Sequence, residues 1–440
     1  MTMIGSLLFA LWLLVAVVSL VCVRDVLSPD KLILSALGVF FLDIFVSPYP
    51  AIVTAAYALL LLAFLMAVIG SSTLVQSASA DRIAPRRPRS ADAAADRIGR
   101  GHLLFWTLSV PALVAQVALV LHFGGIVGYI NVLAMRVIEF QGLGWLTSII
   151  QTFAIVDLMY FAYLVTRARH GASDWVLYLT HLLVFTALAL LTGSRGSLLV
   201  NFVLMAVVRH YLVKPLRLRF LASLAVAALV VASVLEVARE GVGFGDEGLV
   251  TGLSDSREGD RSYGFAWATY GTLSLRLVLE FEVVRTHLGL TYLTWFTNAV
   301  PRAFWPDKPD TGGVVLTKEY TGDAWGGSSH LSTGILPEAI INFGQAGGLA
   351  VGVAQLILVL VAMLALYARC KVRLARGGTD AFVTAVRFAY LSWGMTALVI
   401  GEFTNVMLTL TVQLLTLWLV HATLRALGLF ANRAPGPPAR

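Results

Sequence analysis

Apolar residues run through this chain in long blocks, punctuated by short polar segments. A helix crossing the hydrocarbon of a bilayer needs about 20 mostly apolar residues, because each advances it by about 1.5 Å. Eleven stretches reach or approach that length: 3–23, 31–47, 51–70, 102–122, 147–166, 175–192, 198–212, 220–237, 346–368, 382–400 and 404–424. The second is the poorest, since Asp43 lies inside it and Ser47-Pro48-Tyr49-Pro50 closes it. The first lacks a basic leader and a small-residue cleavage site, and Arg24 follows it, so it reads as a retained span. The pattern predicts an all-α polytopic membrane protein with about 11 transmembrane helices and a large outer loop containing interfacial helices. Residues 1–70 hold helices one to three, 71–100 a basic linker, and 101–238 helices four to eight. The outer loop is 239–345, helices nine to eleven occupy 346–425, and 426–440 form a tail.

Composition agrees with this division. Hydrophobic residues make up 58% of the 440 and charged residues 13%, against about 45–50% and about a quarter in a soluble domain. A secreted globular enzyme, a disordered protein and an ordinary cytosolic chain are thereby excluded. Cys22 and Cys370 stand alone beside basic clusters, which gives neither a disulfide framework nor a zinc site.

The net charge of +7 has to be sorted by membrane side. Lysine and arginine are retained on the cytoplasmic side of short loops. With the N-terminus outside and the C-terminus in the cytoplasm, 21 of the 32 basic residues fall inside, ten outside, and Arg387 within a span. The Ser-, Ala-, Arg- and Pro-rich linker 71–100 then lies near anionic headgroups. The Pro- and Gly-rich end of the tail cannot form a helix. No internal repeat is visible, which weighs against an inverted-repeat transporter.

The outer loop is the longest segment between spans, and loops of that length are usually functional. From Tyr263 to Leu288 the spacing predicts an amphipathic helix with Phe265, Trp267, Tyr270, Leu273, Leu277, Phe281 and Val284, and with charge from Arg276, Glu280, Glu282 and Arg285. Such a helix suits the membrane interface, and Trp295, Trp305 and Trp325 continue the aromatic belt. Pro301, Pro306 and Pro309 then fix the path of the chain around Arg302 and Lys308. Glu338 and Asn342 are four apart and share a helix face if the next span begins near Pro337. On the same side, Thr192-Gly193-Ser194-Arg195-Gly196-Ser197 surrounds one arginine with small and hydroxyl residues, a suitable cradle for phosphate oxygens.

The Gly-Ser-Arg-Gly turn at 193–196, the Val300-Pro-Arg-Ala-Phe-Trp-Pro-Asp-Lys-Pro309 stretch and the Glu338-x-x-x-Asn-Phe-Gly344 stretch resemble the Wzy-type O-antigen polymerases, oligosaccharide repeat-unit polymerases of bacterial envelopes. The pattern of motifs extends over about a third of the chain, and the rest agrees in hydropathy. The resemblance implies a GT-C-like fold related to the O-antigen ligases, and residence in the cytoplasmic (inner) membrane. It also implies metal-independent transfer of a glycan from one undecaprenyl-diphosphate carrier to the terminal hydroxyl of another lipid-linked unit, with no cofactor. The products it suggests are O-antigen, capsule or exopolysaccharide. Partners expected with it are the lipid-linked donor and acceptor, membrane lipids, a chain-length regulator and a flippase, and no nucleic acid.

That chemistry needs fixed cations for the leaving diphosphate, best supplied by arginine, and a base for the acceptor hydroxyl. The outer side offers Arg195, Arg302, Lys308, Arg239 and Arg276 as cations, and His330, Glu338 and Glu240 as bases. Gly193, Ser194, Gly196 and Asn342 are the supporting residues. Each has a structural alternative: Arg195 as a helix cap, Arg302 and Lys308 as headgroup anchors, and Arg276 with Glu280 as an exposed ion pair. Arg239 could equally mark a span end, His330 be incidental to its turn, and Glu338 be a first-turn glutamate. Within the spans, Asp157, His181 and Arg387 are costly, a lone charge at mid-bilayer costing at least about 2.5 kcal/mol. A structural pairing of Asp157 with Arg387 is favoured over a proton relay. An O-antigen ligase is the nearest rival function, and a lipid-linked oligosaccharide flippase or exporter a more distant one.

Overall fold

The computed structural model describes residues 2–80, 95–133, 139–140, 142–167, 171–191, 195–221, 223, 230, 242–245, 248–251, 270–281, 285–298, 300, 304–322, 330–376 and 381–427. Among them, eight helices are long and apolar enough to cross a membrane. They lie in α1 (Met3–Cys22), α3 (Ala51–Ala80), α4 (Ala95–His122), α6 (Gly144–Val165), α7 (Ala172–Leu191), α12 (Ile335–Arg376), α13 (Ala381–Ile400) and α14 (Phe403–Ala426). Large apolar side chains stand exposed on their outer faces, including Leu14, Val17, Leu103, Val114, Leu183 and Trp418. Water would not tolerate so broad an apolar surface on a monomer. The chain is a multi-pass membrane protein.

Several predicted spans take a different form. The stretch 31–47 is not one spanning helix. It is α2 (Pro29–Phe40) followed by a 3-10 turn, Leu42–Phe45. Twelve residues reach only about 18 Å, and the 3-10 turn supplies the remaining length. Ile33, Leu37 and Phe41 are buried in protein, which is why Asp43 is tolerated: it accepts hydrogen bonds from Thr272 Oγ1 (2.5 Å) and the Tyr49 hydroxyl. The predicted span 198–212 is α8 (Arg195–Leu212), whose apolar part is shorter than the long helices. The predicted span 220–237 lies mostly outside the described residues.

Short elements join the long ones: α5 (Ile126–Val132), α9 (Tyr270–Glu280), α10 (Leu290–Thr297) and α11 (Gly312–Thr321). An antiparallel hairpin of β1 (Val242–Gly245) and β2 (Gly248–Thr251) is a small departure from the all-helical pattern. The amphipathic helix predicted over 263–288 is seen as α9, and residues before 270 lie outside the described residues. Leu275, Val278 and Leu279 are buried against α2, α3 and α12, so the amphipathic pattern reports a protein contact.

α12 is broken at Gly344, where φ is 74° and ψ 176°. That backbone is open only to glycine, and it turns the short helix 335–343 away from the membrane-length part that follows. His287 N and Leu288 N donate to the carbonyls of Ile341 and Asn342 (3.2 and 2.8 Å), holding the bend from outside.

The core has two main parts. In one, α1, α2 and α3 enclose α12, with α9 and α11 at one end; in the other, α4, α6, α8, α13 and α14 pack around Phe105, Tyr160, Val208 and Leu417. Helix ends segregate to two faces. On one, Asp25 meets His210 (2.9 Å) and Tyr367 (2.7 Å), and the Tyr211 hydroxyl donates to Leu27 O (3.1 Å). On the other, Ser274 Oγ donates to Ser332 O (2.6 Å) and Ser332 Oγ to Ile400 O (2.9 Å).

Candidate functional site

On this second face, two buried carboxylates come together. Glu338 stands in the first turn of α12, and Glu402 in the two-residue turn between α13 and α14. Glu338 Oε1 accepts from Thr291 Oγ1 (3.0 Å), and its Oε2 accepts from Thr333 Oγ1 (3.0 Å) and Phe403 N (2.8 Å). Asn342, one turn on, donates to Thr291 Oγ1 (2.7 Å) and to Glu338 O (2.8 Å). Glu338 and Asn342 therefore do share a helix face. Thr294 and Thr404 hydroxyls lie 2.5 Å apart beneath them.

Glu402 Oε2 is held by Asn405 Nδ2, and the Gly313 amide and the Thr311 side chain also donate to this carboxylate. Its Oε1 is buried without a hydrogen-bond partner. Burial pushes the Glu402 carboxyl above its usual range, and the donors oppose that only in part. Gly312 and Gly313 let α11 approach: a Cβ at Gly312 would sit 2.6 Å from Glu338 Oε1, and one at Gly313 3.2 Å from Glu402 Oε2.

A second feature lies among the helices. A cavity of about 510 Å³ lies between α6, α7, α8, α13 and α14. Gly196, in the first turn of α8, forms part of its wall. Arg195 is the first residue of α8, one position before this wall residue. Thr409 and Gln413 line it from α14. Counting from Glu402, the positions 405, 409 and 413 fall on one face of that helix. Asn405 is bonded to Glu402, and Thr409 and Gln413 stand in the cavity wall.

The family model for O-antigen polysaccharide polymerase Wzy matches residues 7–259, more than half of the chain. The chain belongs to the Wzy family. As such it is a glycosyltransferase-type polymerase of polysaccharide synthesis, acting on lipid-linked oligosaccharide repeat units in a membrane. No curated protein and no solved structure matches it. The Wzy match includes the 193–196 turn and positions 239 and 240, and ends before the segment that carries Arg302, Lys308, His330 and Glu338.

Within this Wzy chain, the predicted site residues divide. Glu338, Asn342 and Gly196 are placed as above. Gly193, Ser194, Arg239, Glu240 and Arg302 lie outside the described residues, as does the side chain of Arg195. Lys308 is half-buried and its ammonium donates to Asn298 O (3.1 Å) and Val300 O (2.8 Å), clamping the end of α10. Arg276 is exposed and paired with Glu280 at 2.6 Å one turn away. His330 is exposed on the strand of chain leading to Thr333.

Sequence reasoning missed Glu402. The signal was available: a glutamate alone between two apolar helices, with no polar loop to carry it into water. The expected pairing of Asp157 with Arg387 is also corrected. Asp157 meets His181 Nδ1 (2.8 Å) and Asn201 Nδ2 (3.0 Å), while Arg387 donates to His421 Nδ1 (3.1 Å). Ser109 Oγ lies 2.8 Å from His181 Nε2, which completes a serine–histidine–aspartate chain. All three side chains are fully buried, and Phe153 stacks on the imidazole. The chain satisfies polar groups among α4, α6 and α7.

Proposed function

We propose that this Wzy polymerase joins undecaprenyl-diphosphate-linked oligosaccharide units at the outer face of the cytoplasmic membrane, without a metal, into a surface polysaccharide. The observation that carries this reading is the family match across the first 259 residues. In the reaction, the acceptor hydroxyl oxygen bonds to the donor's anomeric carbon as the bond to the diphosphate breaks. The hydroxyl proton passes to a protein base, and the growing glycan stays on the acceptor's carrier.

Arg195 and Arg302 would hold the departing diphosphate, assisted by Arg239. Guanidinium suits this role because its fork matches phosphate oxygens and its charge does not titrate away. Lys308, already spent on carbonyls, is better read as support for that turn. The carboxylate pair of Glu338 and Glu402 is the favoured proton acceptor: a carboxyl raised toward neutrality by burial is a better base than an exposed one. His330 remains the second choice.

Replacing Arg195 by Ala should abolish polymer longer than one unit on a gel of surface glycan, with the protein's membrane abundance unchanged. An unaltered length distribution in that variant would remove the assignment.

A further inference from the structure

The helix α10 is built inside out. Along Leu290-Thr-Tyr-Leu-Thr-Trp-Phe-Thr297, threonine recurs at every third position, and Leu290, Leu293 and Phe296 stand one place ahead of it. In water such a helix would bury its leucines and display its threonines. Here Thr291 and Thr294 are each 1% exposed, while Leu290, Leu293 and Phe296 are 41%, 56% and 68% exposed. The buried hydroxyls are engaged, Thr291 with Glu338 (3.0 Å) and Thr294 with Thr404 (2.5 Å). Leu288, just before the helix, is 80% exposed and holds φ at 48°, a conformation that bulky residues rarely adopt. One short segment thus turns four large apolar side chains away from the protein.

The backbone of α10 is equally independent of water. The first amides of any helix lack an intrahelical partner, and within a bilayer each must be paired inside the protein. Leu290 N donates to His287 O (2.8 Å) and Thr291 N to Asn342 Oδ1 (3.4 Å). Tyr292 N and Leu293 N both donate to Gly289 O (3.1 and 3.3 Å). At the other end the Lys308 ammonium holds the carbonyls of Asn298 and Val300. The helix also lies against two membrane-crossing helices, α12 and α14. Tyr292 packs edge-on to Phe403 in the first turn of α14, with ring centroids 4.9 Å apart. Its hydroxyl donates to Gln355 Oε1 (3.3 Å), eleven residues beyond the break in α12.

We propose that α10 is seated in the membrane leaflet on this face, with Leu288, Leu290, Leu293 and Phe296 among the acyl chains. Hydrocarbon is the partner this face fits, because it accepts apolar side chains and offers no hydrogen bonds to a backbone that needs none. The surface is continuous with the lipid-facing sides of the helices that α10 packs on. One helix then separates the lipid from the carboxylate pair, with its threonines on Glu338 and Thr404 and its leucines in hydrocarbon. The assignment rests on the multi-pass fold and is independent of the chemistry proposed for Glu338.

The test uses the full chain with Cys22→Ser and Cys370→Ser, carrying Leu290→Cys, Leu293→Cys or Phe296→Cys. Each variant is labelled with a nitroxide and placed in nanodiscs of phosphatidylethanolamine and phosphatidylglycerol. Collision of the label with oxygen, which concentrates in hydrocarbon, should exceed collision with a water-soluble nickel chelate severalfold at all three positions. An excess of chelate collisions would place the face in water. Exclusion of both reagents would place it against protein, whether a second copy of this chain or another partner. Either result overturns the proposal. Leu293→Asn combined with Phe296→Asn is the independent check. In hydrocarbon the added amides find no partner, so the melting temperature in nanodiscs should fall by several degrees. In water the loss of exposed apolar surface would leave it unchanged or raise it, and that outcome too would overturn the proposal.

Discussion

A single buried carboxyl shows how strongly position governs chemistry here. Glu402 has donors on one oxygen and none on the other, and its carboxyl is held above the ordinary range chiefly by burial. It binds its proton more tightly in the folded than in the unfolded protein. Its contribution to stability is therefore fully present below the unfolded carboxylate value of about 4 and is lost as pH rises through the folded value. Glu402→Gln stays neutral throughout and should lose less melting temperature than the unsubstituted protein between about pH 5 and about pH 8. Parallel thermal melts in detergent at both pH values check this, and identical pH dependence in the two proteins would contradict it. Asp25, outside the spans on the opposite face, runs the other way. Burial raises its carboxyl, but His210 and Tyr367 outweigh that and bring it down to about 2. Its contribution is retained down to strongly acidic pH, so it does not disturb the comparison.

Among the elements, what could be read from the sequence depended on length and on environment. Twenty apolar residues in a row can do little except cross the bilayer, and α1, α6, α7, α13 and α14 fall within a few residues of their expected bounds, whereas α3 continues to Ala80, ten residues into the expected linker. α2 was harder to read because it is shielded by neighbours, and a shielded helix can be short and carry Asp43. α9 was only partly legible for a related reason: periodicity gives an apolar face but not what covers it. The break in α12 was legible only as a glycine among several. Its φ of 74° makes it a position where Ala is strained whatever the space, since the nearest atom to an added Cβ is Thr286 Cγ2 at 3.7 Å. Gly344→Ala should cost about 1–3 kcal/mol, seen as a lowered melting temperature with loss of polymerase activity. Gly347→Ala, three residues on in ordinary helix, should be neutral or stabilising by about 0.4–1 kcal/mol. Equal melting temperatures for the two variants would show that the bend does not depend on glycine.

At the scale of the whole molecule, the two faces carry different chemistry. Arg24, Lys31, Arg209, Lys214, Arg217, Arg369 and Lys371 gather at the end where Asp25 meets His210, whereas Glu338, Glu402 and the Gly196 turn lie toward the other. Glu338 and Asn342 on one helix face were legible from their spacing of four. The carboxylate pair was not: Glu338 and Glu402 are 64 positions apart in the sequence, and only packing of α11 against α12 and the α13–α14 turn brings them together. If the basic face is cytoplasmic, as retention of positive charge requires, the carboxylate pair faces outward, where a lipid-linked glycan would be elongated. Phe304 and Leu218, 83% and 62% exposed on opposite faces, allow a direct check. In a Cys22→Ser, Cys370→Ser background, Phe304→Cys should react with a membrane-impermeant maleimide in intact spheroplasts, and Leu218→Cys only after permeabilisation. The reverse pattern would turn the carboxylates toward the cytoplasm. Polymerisation at the outer face would then be impossible for this arrangement, however well the residues suit it.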